Sequence, residues 1–277
     1  SLIRGLIKLQ RKARRSGAKN TPSAGPGGTL TSFDRGMSEL TDRLAEKMGS
    51  RIHTQSPVAA VSRNGGNFTL HMAQGPDRES EILILAVPAY VQSQILREYE
   101  PELSELLDGI EYPALSVVCF GFSEERIAPY LDGFGFLIPS REQRTTLGTI
   151  VDSNVFPGRA PEGSVLFRSM VGGARSPQFA ELPDEQLTSR VQSDLKDITG
   201  LSADPEFVKI FRWNRAIPQY NVGHAARLEA IDEIVEQHPG LVLTGNAFRG
   251  VSLNDCIVNA WKTAEAVVPE QAKGKGA

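Results

Sequence analysis

Apolar positions recur at spacings of three and four through Ser32–Gly49. Met37, Leu40, Leu44 and Met48 share one side, which predicts a helix closed by Gly49. From Arg51 to Met72 the pattern becomes strand-like, breaks at Asn64-Gly65-Gly66 and resumes, which predicts a hairpin. Residues 81–96 open with EILIL, in which Glu81 precedes an unbroken apolar run from Ile82, with Pro88 at the strand exit. A run without polar alternation predicts a sheet covered on both faces. Between 112 and 220 the texture shortens: ALSVVCFGF, FGFLIPS, TTLGTIVDS, SVLFRSMVGG and EFVKIFRW read as strands, with the helix PDEQLTSRVQSDLKDITG between the last two. Mostly consecutive strands predict an antiparallel sheet, separate from the apolar strands on either side. The amphipathic segment HAARLEAIDEIVEQHPG then leads into a strand at Leu241–Leu243, a glycine-studded turn, and a helix striped by Ile257, Val258, Trp261, Ala264, Val267 and Val268.

Residues 1–19 set Leu2, Ile3, Leu6, Ile7 and Leu9 before a run of Lys and Arg. That order is the reverse of a secretory leader. It describes either a helix packed on a neighbour or one lying on a membrane surface. The segment reads as the tail of a helix continuing from preceding sequence. Residues 20–29 form a turn-rich linker whose GPGG lacks the flanking strand and helix of a phosphate-binding loop.

Composition narrows the chemistry. The 277 residues are 40% hydrophobic and 23% charged, with a net charge of −3, so nothing drives the chain as a whole toward nucleic acid. Cys119 and Cys256 are too few and too scattered for a disulfide framework or a zinc cluster. His53, His71, His224 and His238 have no metal-ligand spacing, so no metal site is expected. No apolar stretch approaches the roughly 20 residues of a membrane span. There is no GxSxG and no recognisable Cys–His pair, so no catalytic side chain is nominated. This speaks against a side-chain-driven hydrolase and for a borrowed cofactor.

The strand–turn–helix at 241–268 is where such a cofactor would sit. Gly245 permits close backbone approach, Gly250 permits a second bend, and Ser252 with Asp255 has the layout of a helix cap. The first helical turn presents unpaired N–H groups and a partial positive charge. It suits a carboxylate, a phosphate or the electron-rich edge of a reduced flavin. The same residues also describe an ordinary strand-to-helix connection, and both readings stand at this point.

Seven segments in order change the balance: SFDRGMSELTDRLAEKMG, ILAVPAY, DGFGFLIPS, GTIVDSNVFPGRAPEGS, VGGAR, FRWNRAIPQY and GNAFRGVSLNDCI. Together they resemble the oxygen-dependent protoporphyrinogen/coproporphyrinogen oxidase family, within the flavin amine oxidase and phytoene desaturase superfamily. The likeness runs from about residue 1 to 268. It lacks the family's N-terminal GxGxxG unit, so the chain resembles the C-terminal portion of such an enzyme.

The resemblance implies a mixture of α/β and α+β structure. An incomplete FAD-binding Rossmann-like domain would be interleaved with an antiparallel-sheet substrate domain, in a p-hydroxybenzoate hydroxylase-like topology. Residues 1–20 would end a helical, membrane-facing part. Residues 21–110 and 239–268 would belong to the FAD domain, 111–238 to the substrate domain with a mainly antiparallel sheet, and 269–277 to a tail.

FAD contacts are implied at Val58, Asn246, Val251, Ser252 and Leu253, with Gly245 and Gly250 making room for the ring and Trp213 and Tyr220 on the flavin side. Gly135, Leu137 and Ile150 are implied to line a tetrapyrrole, although each also reads as core. The family's principal propionate-binding arginine has no counterpart here; Arg159, Arg168 or Arg175 could supplement it. The implied reaction is oxidation of protoporphyrinogen IX or coproporphyrinogen III within haem biosynthesis, with dioxygen reoxidising FAD to give hydrogen peroxide. Partners would be the porphyrinogen and dioxygen, with peripheral membrane contact at the inner face of the cell membrane, a cytoplasmic location, no nucleic acid, and a homodimer left open. The alternatives are another amine oxidase or carotenoid desaturase-type oxidoreductase, or an inert truncated fragment.

Overall fold

The computed structural model describes residues 30–127 and 133–268, and the expectations for 1–29 and 269–277 lie outside them. The chain divides at Ile52 into two units. In the first, helix α1 (Ser38–Met48) ends at Gly49, whose φ of 53° is left-handed and whose N–H returns to the Ala45 carbonyl. It begins at Ser38 rather than Ser32, because Phe33 to Gly36 forms a turn with Gly36 at φ 94°.

The second unit holds two cores. In the first, β1 (Val58–Asn64), β2 (Asn67–Met72) and β3 (Arg78–Ser80) form an antiparallel meander. Gly65 and Gly66 close the hairpin at φ 59° and 102°, conformations that a two-residue turn of this hand needs. β4 (Leu83–Leu85) pairs in parallel with β10 (Leu241–Leu243), Leu83 opposite Leu241. Helices α2 (Ala89–Leu96), α3 (Pro101–Asp108) and α5 (His224–Val235) complete this core around Phe68, Leu96, Leu103 and Ile231. Pro88 leaves the strand and opens α2, as its position predicts. The two-sided cover expected for EILIL is not what forms. Leu83 and Leu85 are buried, but Ile84 is 42% exposed, because the core packs only the face carrying the two leucines.

The second core lies on one face of a five-stranded antiparallel sheet in the order β6-β7-β8-β5-β9. Its strands are β5 (Leu115–Ser123), β6 (Gly135–Leu137), β7 (Thr146–Val151), β8 (Ser164–Gly172) and β9 (Phe207–Trp213). Val118, Phe120, Phe122, Phe167 and Val171 point at helix α4 (Asp184–Thr199), which answers with Leu187, Val191 and Leu195. Each of these burials is worth about 1.5–3 kcal/mol before entropy is counted. The buried Asp194 fixes α4 to the sheet by accepting the Thr146 N–H at 2.9 Å. A parallel strand pair with helices beside an antiparallel sheet is the α/β and α+β mixture that the resemblance implies. The opposite face of the large sheet carries exposed apolar side chains, and it forms half of the site.

Candidate functional site

The turn between β10 and helix α6 (Leu253–Val267) is tightly constructed. Ser252 Oγ accepts the Asp255 N–H at 3.1 Å, and Asp255 Oδ2 accepts the Ser252 N–H at 3.3 Å, a complete capping box. Gly250 has φ 111°, and a Cβ there would lie 2.5 Å from the Asp255 Cβ. Its missing side chain makes room for the cap, a structural need that stands beside the expected flavin contact. Gly245, at φ 123°, has only the Ala86 and Val87 carbonyl oxygens nearby, at 3.6 and 4.0 Å from an added Cβ. Its need for glycine is conformational.

Three residues hold this turn: Tyr220, expected on the flavin side, and Gln92 and His224, which no local pattern marks. Tyr220 donates its hydroxyl to the Asn246 carbonyl at 2.7 Å and accepts the Gly250 N–H at 3.0 Å. Its ring stacks on His224 at 4.1 Å. Gln92 donates to the carbonyls of Val87 at 2.7 Å and Thr244 at 3.2 Å, joining the exits of β4 and β10. Burial pushes the Tyr220 phenol up and His224 below its usual value. Gln92 Oε1 and His224 Nε2 are buried and have no partner among the described residues. The sequence hides these ties because Gln92 and Thr244 are far apart along the chain.

These features fit a planar ring with a polar edge. Val251 and Leu253 are exposed at 47% and 45%, offering apolar contact beside the first-turn amides of Leu253 and Asn254. The Asn246 side-chain amide has no partner among the described residues, and two of the three orphaned buried polar atoms, Gln92 Oε1 and His224 Nε2, lie on the residues that hold the turn, the third being Thr146 Oγ1 on the large sheet. The Asp255 carboxylate offsets part of the helix's positive end, so the electrostatic help expected for a reduced flavin is smaller than a bare helix terminus would give. Val58 is half-buried, its side chain packed against the same core as Leu243 and Ala247. A register irregularity follows it in β1.

Gly135, Leu137 and Ile150 come together elsewhere, on the open face of the large sheet. Cross-strand pairing sets one row there as Gly135, Ile150, Arg168, Cys119 and Lys209. The next row is Leu137, Gly148, Met170, Val117 and Phe211. Directly opposed residues of a sheet share a face, so both rows look the same way. Leu137 is 81% exposed, which removes core packing as its explanation. It lies over Gly148, where an added Cβ would sit 2.9 Å from Leu137 Cδ2. Gly135 has a structural reason of its own, since a Cβ would fall 2.2 Å from the Thr149 oxygen.

Trp213, expected beside the flavin, lies at the β9 edge of this face, stacked on Phe211 with ring centroids 6.1 Å apart. From there the chain runs directly to Tyr220 and the turn, linking the two halves of the site. Arg168 is held by Asp152 through two hydrogen bonds, of 2.8 and 2.7 Å. The Cys119 thiol between the strands is pushed up by burial, which argues against a nucleophile. Among the described residues no cluster of His, Cys, Asp and Glu is placed to hold a metal ion.

Residues 11–268 match the model of the flavin containing amine oxidoreductase family. The chain is 32% identical over 255 residues to a chloroplastic protoporphyrinogen oxidase of Nicotiana tabacum, covering 87% of this chain and 46% of that one. It is 27% identical over 256 residues to the coproporphyrinogen III oxidase of Bacillus subtilis (strain 168), covering 92% and 54%. It superposes with a TM-score of 0.76 and 27% identity on a crystal structure from Exiguobacterium sp. 255-15, provisionally named a protoporphyrinogen oxidase, over 88% of this chain and 53% of that one. Wild-type putrescine oxidase bound to putrescine shares the fold at a TM-score of 0.66 and 14% identity, over 84% and 53%. The chain spans about half the length of the curated relatives it matches.

Proposed function

The chain belongs to the flavin containing amine oxidoreductase family, and on that premise we propose that it forms the ring-binding and substrate-binding parts of an FAD-dependent porphyrinogen oxidase. The observation that carries the substrate reading is the open sheet face. Gly135 with Ile150 and Leu137 with Gly148 fall in adjacent register rows, and they floor a flat, exposed apolar surface. A flat macrocycle needs mostly apolar walls with a few polar anchors. The relatives named for protoporphyrinogen and coproporphyrinogen oxidation support the same choice over an amine substrate.

When bound, FAD supplies a two-electron acceptor. This chain's residues position it and the substrate. Val251 and Leu253 offer apolar contact to one edge of the ring, and the Leu253 and Asn254 amides offer hydrogen-bond donors. Tyr220, Gln92 and His224 hold the turn that presents these groups. Leu137, Met170, Val117 and Phe211 exclude water from the underside of the substrate. The resulting macrocycle is aromatic, so the proton leaving the carbon framework needs no strong protein base.

The proposal extends to dioxygen as the reoxidant, hydrogen peroxide as coproduct and a place in haem synthesis. It also extends to a cytoplasmic protein that touches a membrane surface. Residues 21–110 and 239–268 would serve the cofactor, and 111–238 the substrate. The test is to purify the protein, measure bound flavin by its visible absorbance, and add a porphyrinogen in air. Porphyrin fluorescence rising together with peroxide is expected. A flavin-loaded protein that oxidises amines and leaves porphyrinogens unchanged would overturn the reading.

A further inference from the structure

We propose that Arg168 and Lys209 form a two-point clamp for carboxylates on one edge of the substrate, so that the open face selects a tetrapyrrole whose acidic arms lie side by side. The inference rests on the porphyrinogen reading and names which substrate class this face takes.

The sheet sets its groups in rows of unlike character. In the first row Arg168 and Lys209 stand on either side of Cys119, directly opposed to it from the two neighbouring strands. They are therefore two strand spacings apart, about 9.6 Å along the row. Two flexible propionate arms on adjacent pyrroles can bridge such a gap. The second row, about 7 Å further along the strands, is apolar throughout. Leu115 and Trp213 extend the apolar surface beyond it. The other neighbouring row, Leu166, Gly121 and Phe207, is apolar as well, so the two cations stand on one line with hydrocarbon on both sides of it.

Each cation is prepared for an anion in its own way. Asp152 takes Nε and Nη2 of Arg168, which fixes the guanidinium plane and leaves Nη1 without a partner among the described residues. Lys209 has no carboxylate partner among the described residues; its ammonium lies 5.9 Å from the Phe211 ring centroid. Lys209 thus contributes the net positive charge of the row, and Arg168 contributes oriented donors. A tetrapyrrole with its carboxylates on adjacent rings satisfies both cations while its remaining edge covers Leu137, Met170 and Phe211. One with a carboxylate on every ring has to set at least one of them over that apolar row, where nothing pairs with it.

The purified chain is titrated with protoporphyrin IX, its dimethyl ester and coproporphyrin III, following the porphyrin absorption band. The same titrations are made on Arg168→Met, Lys209→Met, the double variant and Lys209→Arg. The expected result is that the free diacid binds more tightly than the diester by about tenfold or more, which is the scale of one retained ionic hydrogen bond. That preference should collapse in the double variant and survive in Lys209→Arg, and coproporphyrin III should bind more weakly than protoporphyrin IX. Equal affinity for diacid and diester, or a preference unchanged in the double variant, overturns the clamp and leaves the tetrapyrrole reading standing. Coproporphyrin III binding as tightly as protoporphyrin IX overturns the side-by-side selectivity. Absence of binding by any of the three overturns both the clamp and the porphyrinogen reading. If Arg168→Met fails to fold because Asp152 loses its partner, Lys209→Met against Lys209→Arg decides, since Lys209 is exposed on an edge strand.

Discussion

The Tyr220 hydroxyl lies 2.7 Å from the Asn246 carbonyl oxygen and accepts the Gly250 N–H at 3.0 Å, so one phenol spans the turn that the flavin ring would meet. Tyr220→Phe keeps the ring and its stacking on His224 and removes both hydrogen bonds. The expected cost is about 1–2 kcal/mol, since the site is partly exposed and water replaces some of the loss. Urea unfolding measures that cost, and flavin retention measures its effect on the site. If Tyr220→Phe unfolds like the parent and keeps its flavin, the hydroxyl is not what shapes the turn.

Gly250 and Asp255 should be coupled. Gly250→Ala puts a Cβ into space held by the Asp255 carboxylate, at a φ of 111° that alanine resists. It should cost more than about 1 kcal/mol. Asp255→Gly alone removes the capping box together with the Cβ that Gly250→Ala would meet at 2.5 Å, at about 1–3 kcal/mol. In the double variant the steric part disappears, so it should cost less than the sum of the two single variants. A strictly additive double variant in urea unfolding would mean that backbone strain alone makes Gly250 necessary.

Patterns within one element were readable in the sequence: the Gly65-Gly66 hairpin, the exit at Pro88, the strands of the large sheet and the family itself. What was not readable depends on partners distant in the chain. The run EILIL promised burial on both faces, yet Ile84 is open, because apolar spacing reports the tendency to be covered and not what covers it. Gly250 reads as space for a ligand, and that a Cβ there would also meet Asp255 shows only in the fold. Trp213 stacks on Phe211 because the register of β9 sets both on the sheet face, a contact that the order of residues alone does not announce. The row of Ile150, Arg168, Cys119 and Lys209 is invisible in sequence, since its members come from four strands.

His224 gives the turn an acid sensitivity. Burial holds its imidazole below the ordinary value of 6.5, so the unfolded chain takes up a proton more readily than the folded one. Its contribution to stability is complete above that value and is lost as pH falls through the lower folded pKa. Between neutrality and about pH 5 the parent should lose stability that a His224→Asn variant does not lose. The difference is read from urea midpoints at a series of pH values. Parallel pH profiles for the two proteins would show that His224 does not titrate with unfolding.

Leu137 separates a structural role from a binding role. At 81% exposure its replacement removes almost no core contact, so Leu137→Asp should change stability by no more than about 0.5 kcal/mol. In a binding face the same change is severe. It sets a carboxylate in the apolar row, opposite Gly148, where a bound macrocycle would cut it off from water. Porphyrin affinity should fall about tenfold or more, while flavin content stays at the parent level because the turn at 245–253 is untouched. Leu137→Met, which preserves size and apolarity, should bind as the parent does. Porphyrin binding unchanged in Leu137→Asp would remove β6 from the substrate site. Loss of stability in step with loss of binding would instead return Leu137 to a structural role.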